Sequence, residues 1–426
     1  MTFMSVWTMP KLFRKHVLTG LFCICVFAQA PAWAIQEHAD EGLQSSDKLT
    51  LASLLATTLE RHPQAGVLAA RSATIDAETK YGNRWLPDST ALTAFHMSDR
   101  SFDDIGAYEN EVALSFPMWL PGEKKAQSRL GETLKVSRAS GEAEFRWQVS
   151  GQLRQQLWQL KLAERQWQLA VEHEQRLGEV LAQVTLFAEA GELSRADQLA
   201  TMEELAIWKG ETMLLEAEYM DAIRLYRSFT GLEVMPAQID EILSELQVIE
   251  QEHPALRQAM NRMAESSAET DVVRQRTNAR PSLDVFWRGF RGDANSPDVN
   301  ALGIGFAVPL GKSPRREPEV ARAYEDFAGA EADLLETKRE LDLQLHEANH
   351  VLHTTHERLE NSDTIVKAAT ERHQLDKLAF DLGEFSTREW LRRLSQIKKI
   401  EQSHELLLIQ QGAAIAAYNQ AVGESL

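Results

Sequence analysis

The stretch Phe187-Ala188-Glu189-Ala190-Gly191-Glu192-Leu193-Ser194-Arg195-Ala196-Asp197-Gln198-Leu199 recurs 192 residues later as Ala379-Phe380-Asp381-Leu382-Gly383-Glu384-Phe385-Ser386-Thr387-Arg388-Glu389-Trp390-Leu391. In both copies a glycine, Gly191 or Gly383, stands where it can take the left-handed backbone that stops a helix. Three residues on, Ser194 and Ser386 are placed to cap the next helix. Asp197 and Glu389, three further, complete a capping box. The pattern predicts a sharp turn between two antiparallel helices, made twice. Each turn lies in a long tract without the main helix breaker: no proline falls between Pro121 and Pro236, and none follows Pro318.

Apolar residues in these tracts keep a helical period. Trp390, Leu394, Ile397, Leu408, Ile415, Tyr418 and Val422 follow alternating steps of four and three, with polar interruptions at Glu401, His404 and Gln411. Leu153, Leu157, Leu160, Trp167 and Val171 follow the same steps in the first tract. Other landmarks keep nearly the same separation as the turns. His62-Pro63 returns as His253-Pro254, Pro117 as Pro309, and Pro87 as Pro281. The expectation is an internal duplication. Residues 35–231 and 253–426 each read as helix, two strands and a long helical hairpin, joined by a linker at 232–252.

The predicted strands are 89–98, 109–118, 282–290 and 301–308. Alternation is clearest in Val112, Leu114, Phe116 and Met118 and in Leu302, Ile304, Phe306 and Val308. Each run is about 9–10 residues, the length of a tilted strand crossing a bilayer. Trp85, Phe95, Tyr108, Trp119, Trp287 and Phe290 sit near the ends of the runs, where interfacial belts form. The fold class is therefore mainly α with a small β part. Four strands cannot close a barrel, and open sheet edges are not tolerated in hydrocarbon, so strands that enter a membrane require oligomerisation.

Residues 1–34 read as a signal peptide. Lys11, Arg14 and Lys15 precede a short apolar run, and Ala32-Trp33-Ala34 supplies an A-x-A cleavage pattern. Cys23 and Cys25, the chain's two cysteines, lie inside this leader, so the remainder has no thiol chemistry and no disulfide. A net charge of −18 argues against a nucleic-acid partner.

One stretch tempts an enzymatic reading. His346-Glu347-Ala348-Asn349-His350 matches the H-E-x-x-H of zinc peptidases, with His356 where a third ligand would fall. That motif needs glycine at 353 to turn the chain, and the residue is His353. A catalytic site is therefore not expected. His346, His350 and His353 share one helical stripe, away from the seam of Leu341, Leu345, Leu352 and Leu359, and are candidate weak metal ligands.

The duplication, hairpin turns and strand pairs together resemble the TolC-like outer-membrane efflux proteins, nearest their heavy-metal branch. The resemblance runs from about Leu49 to the C-terminus. It includes Phe116-Pro117-Met118-Trp119-Leu120-Pro121-Gly122 at the strand-to-helix junction and Thr230-Gly231-Leu232 closing the first half. It implies a homotrimer in the outer membrane, with four strands per chain in one 12-stranded β-barrel and the helices forming a periplasmic α-barrel. It implies passive export, without cofactor or turnover, of cargo delivered by an inner-membrane pump and a periplasmic adaptor. Asp197 and Glu389 match the acids that narrow the tunnel entrance and favour cations. A second acidic ring falls on Arg392, and a tyrosine that locks the entrance falls on Phe380. Gly191, Leu193, Ser194, Gly383, Phe385 and Ser386 match the adaptor-docking tips, with Leu193 and Phe385 expected as exposed apolar contacts. The competing readings are a type I secretion duct and a soluble periplasmic helical scaffold without a barrel.

Overall fold

The computed structural model describes residues 42–276, 280–310, 316–384 and 386–426. The predicted leader at 1–34 and Phe385 lie outside the described residues. The elements run β1 (Gln44–Ser46), α1 (Leu51–Arg61), α2 (Gln64–Gly82), β2 (Ala91–Ser98), β3 (Tyr108–Pro117), α3 (Glu123–Glu189), α4 (Arg195–Thr230), β4 (Val234–Pro236), α5 (Pro254–Gln275), β5 (Ser282–Arg291), β6 (Val299–Ala307), α6 (Arg316–Asp381) and α7 (Thr387–Ala421). The chain is mostly helical with a small sheet part, as the sequence predicts. At 67 and 66 residues, α3 and α6 are each about 100 Å long.

The two His-Pro landmarks do different work. Pro63 forces His62 into extended backbone, which separates α1 from α2. Pro254 instead opens α5 at its first position, where a missing N–H costs nothing, and the His253 ring accepts from the Ala255 N–H at 3.3 Å.

The predicted strand pairs merge into one antiparallel sheet of order β2-β3-β5-β6, joined through β3 and β5. Its register brings one apolar row across all four strands. Leu92 lies opposite Leu114, Leu114 opposite Val285, and Val285 opposite Ile304. Val112, Trp287 and Leu302 make the neighbouring row. These side chains are exposed. The other face carries Glu109, Glu111, Asp284 and Arg288 among Gly303, Gly305 and alanines, together with Phe95, Met97, Phe286 and Phe290. β2 and β6 are each hydrogen-bonded to a strand on one side. Among the described residues, no helix is long and apolar enough to cross a membrane.

The main core sits halfway along α3. Leu153, Leu157, Trp158 and Leu160 pack with Leu54 and Leu55 of α1, Tyr219, Ile223 and Tyr226 of α4, and Ala416 of α7. A second cluster joins Ile75 of α2, Leu130 and Leu134 of α3, and Ala268 and Val272 of α5. Beside the main core, Arg154 is buried against Glu241 at 2.6 Å and also donates to Gln420 and to the Glu424 carbonyl.

One seam position is corrected. Leu408, expected on the buried stripe of α7, is 50% exposed, whereas Leu407 is 5% exposed. α7 packs on α6 and also on α3, and Ala416 on its α3 side joins the main core, so its buried residues do not follow a single stripe.

Candidate functional site: the two hairpin tips

Both tips use the same backbone turn. Gly191 and Gly383 have φ of +78° and +76°, the left-handed region that glycine occupies without a Cβ penalty. The Glu192 N–H donates to the Phe187 carbonyl at 2.9 Å, and the Gly191 N–H to that of Ala188 at 3.2 Å. The second tip repeats this with Glu384 on Ala379 and Gly383 on Phe380, both 2.9 Å. Each is a Schellman closure of the preceding helix. Ser194 and Ser386 then accept from the Asp197 and Glu389 N–H groups at 3.2 and 3.3 Å, starting α4 and α7.

The carboxylates differ between the tips. Asp197 takes a 2.5 Å hydrogen bond from the Ser194 hydroxyl and pairs across to Arg388 of α7 at 3.5 Å. The serine hydroxyl, and more weakly Arg388, hold its carboxyl below the usual range. Glu389 turns away from its cap. Arg392 grips both its oxygens, at 3.0 and 2.7 Å, and Arg393 adds a third contact at 2.9 Å. These two guanidiniums, Arg392 first, bring the Glu389 carboxyl down to about 2. The capping box expected at the second tip is thus only half made, because arginines one turn on compete better for a carboxylate than a backbone N–H does. Arg393 also reaches buried Asp376 on α6, which Arg372 approaches at 3.9 Å.

Phe380 meets Trp390 face to face, ring centroids 5.2 Å apart at 12°, and His373 stacks on the same indole at 5.4 Å. Phe380 therefore joins the two limbs of its own hairpin through an aromatic stack. Leu193, expected to be exposed, is half-buried, and its N–H turns back to the Phe187 carbonyl. The bare apolar side chains around the tips are instead Leu186, Phe187 and Leu199 at the first and Leu378 and Leu382 at the second.

Arg388, Arg393 and Asp376 were missed in the sequence. The i, i+4 spacing of Glu389 and Arg393 is a readable signal; the contacts of Asp376 and Arg388 with residues on other helices are not local. His346, His350 and His353 lie exposed on uninterrupted α6. His350 bonds the Thr354 hydroxyl at 2.9 Å and His353 faces Glu357 at 3.3 Å. Among the described residues, no group of three or more His, Cys, Asp or Glu side chains is arranged to hold a metal ion.

No protein-family model and no curated protein sequence matches the chain. Solved structures do. The outer membrane protein VceC from Vibrio cholerae superposes with a TM-score of 0.70 at 13% identity, over 88% of this chain and 96% of that one. The outer-membrane channel OprN gives 0.67 at 18% identity, over 90% and 93%. CusC, described as forming a transmembrane channel, gives 0.69 at 12% identity, over 92% and 96%. Over nearly its whole described length, the chain has the fold of these outer-membrane channel proteins.

Proposed function

We propose that the chain is the outer-membrane exit duct of a tripartite efflux system, a homotrimer with most of each chain in the periplasm of a Gram-negative bacterium. The observation that carries this is the sheet. Its apolar row runs in register through β2, β3, β5 and β6, and each outer strand is paired on one side only. In hydrocarbon every backbone polar group needs a partner. Copies of the chain meeting β6 to β2 supply one, and three copies of four strands close a 12-stranded barrel. Duplication of one ancestral half accounts for the two matching tips.

In this reading the duct is passive, and the tips at Gly191, Leu193, Ser194, Gly383, Phe385 and Ser386 dock a periplasmic adaptor. The exposed Leu186, Phe187 and Leu382 widen that apolar surface. Asp197, Glu389, Arg392 and Phe380 form the entrance, with the arginine pairing supporting a neutralised ring over a bare acidic one. Metal cations as cargo rest on the exposed imidazoles of His346, His350 and His353.

Mass measurement of the detergent-solubilised protein tests the proposal. A trimer whose migration changes on heating is expected, and a monodisperse monomer with strands still formed would refute it. Leu193→Asp with Phe385→Asp should abolish adaptor pull-down while the trimer persists. Unchanged metal resistance after replacing the three histidines by alanine would remove metal cargo from the proposal.

A further inference from the structure

Where α3 and α4 near the first tip meet the start of α7, the chain surrounds a cleft of about 480 Å³. Leu177, Val180, Leu391 and Leu394 give it an apolar lining. His173 lines it too. That residue is 7% exposed, and its Nε2 has no hydrogen-bond partner among the described residues. The ring sits edge-on to Trp208, centroids 4.2 Å apart, which fixes its orientation.

The charges acting on this imidazole are all cations. Burial, and then Arg176, Lys399 and Lys398, hold it below the ordinary histidine range. The ring is therefore neutral at physiological pH and can carry its proton on Nε2 as a donor. Lys399 makes no ion pair among the described residues. Arg176 pairs with Glu172 at 3.2 Å and Lys398 with Glu401. Such partly exposed pairs are weak and exchange readily. Of the acids lining the cleft, Asp197 is occupied by Ser194 and Arg388. Glu204 is exposed and is not among the charges that act on His173. A buried donor without an acceptor, one lysine without an ion pair beside two weakly paired cations, and an apolar lining together describe one ligand class.

We propose that this cleft binds an organic monoanion with an apolar body. Its carboxylate or sulfonate accepts from His173 Nε2 and pairs with Lys399 and Arg176, while the body lies on the aliphatic lining. The site is complete within one chain and links the first hairpin to α7. Binding is therefore independent of whether the chain forms a duct.

Isothermal titration of the full chain in a neutral detergent tests this, with 2-naphthalenesulfonate as the probe and uncharged 2-naphthol in the same micelles as its control. Saturable binding of one sulfonate per chain is expected. Lys399→Gln and His173→Phe should each weaken it about tenfold, the scale of one charge-assisted hydrogen bond, and leave naphthol unaffected. Lys399 is exposed, so its variant keeps the fold even where the buried His173→Phe does not. Equal affinity for sulfonate and naphthol would overturn the proposal. So would sulfonate binding that Lys399→Gln leaves unchanged in a chain of native circular dichroism.

Discussion

Replacing Gly412 by alanine should destabilise the protein, and the cause lies on another helix. Where α7 crosses α3, a Cβ at position 412 would fall well inside van der Waals contact with the six-membered ring of Trp158. Carbon atoms in contact prefer roughly 3.5–4.0 Å. The helices must therefore separate or the indole must leave its rotamer. Trp158 is buried in the main core, so rotation is blocked. Overpacking of this severity costs about 3 kcal/mol. Alanine recovers about 1 kcal/mol as the better helix former, which leaves a net loss of about 2 kcal/mol. Denaturant unfolding followed at 222 nm measures it. In a Trp158→Leu background the clash is gone, and the same substitution should become stabilising by up to about 1 kcal/mol. The reversal of sign is diagnostic. A neutral Gly412→Ala in the parent chain, or a cost that persists without the indole, would refute the reasoning.

Arg154→Met should cost about 3–5 kcal/mol, because it strands the Glu241 carboxylate beside the core, and adding Glu241→Gln should recover most of the loss; equal damage in single and double variants would show that the pair is not the cause. Burial holds the His253 imidazole down at about 4, so the unfolded chain binds a proton near its ordinary 6.5 while the folded chain does not. Stability should fall by about 3 kcal/mol as pH drops from 6.5 to 4, and His253→Asn, which keeps a cap acceptor for Ala255, should flatten that slope. Glu389 is shifted the other way, from 4.5 to about 2. Its contribution to the tip is full above 4.5 and disappears as pH falls through 2, and an ordinary midpoint in a carboxyl carbon-13 titration would contradict the arginine clamp. Within the proposed duct, Arg392→Ala should raise cation preference in bilayer conductance and Glu389→Gln should lower it. No change in either would remove both residues from the entrance.

Features governed by neighbours in sequence were legible before any coordinates. Gly191 and Gly383 announce the stops, Ser194 and Ser386 the restarts, and the proline gaps the lengths of α3 and α6. The alternation of Val112, Leu114 and Phe116 marked β3 and its apolar face at once. What escaped depends on residues far apart in the chain. The union of β3 with β5 is a pairing across α3, α4 and α5, and no local pattern encodes it. Leu408 was assigned to the seam because a strict heptad assumes one partner, whereas α7 has two. At the tips, Ser386 and Glu389 satisfy the capping-box pattern perfectly well. The pattern does not weigh that acceptor against Arg392 and Arg393, which win because charge attracts charge more strongly than an amide does. Leu193 was misjudged for a related reason, since the Schellman closure draws its backbone back to Phe187 and covers part of the side chain.

The closure of each tip within its own dozen residues also makes hairpin length an independent variable. No hydrogen bond of the turn depends on how far away the sheet is. Seven residues added to each limb at matched depths would return every side chain to nearly the same face and carry the tip about 10 Å further out. A hairpin of this construction is a ruler with a standard end-piece. The distance it spans can be reset by whole heptads, in evolution or at the bench, while the surface at its far end stays as it was.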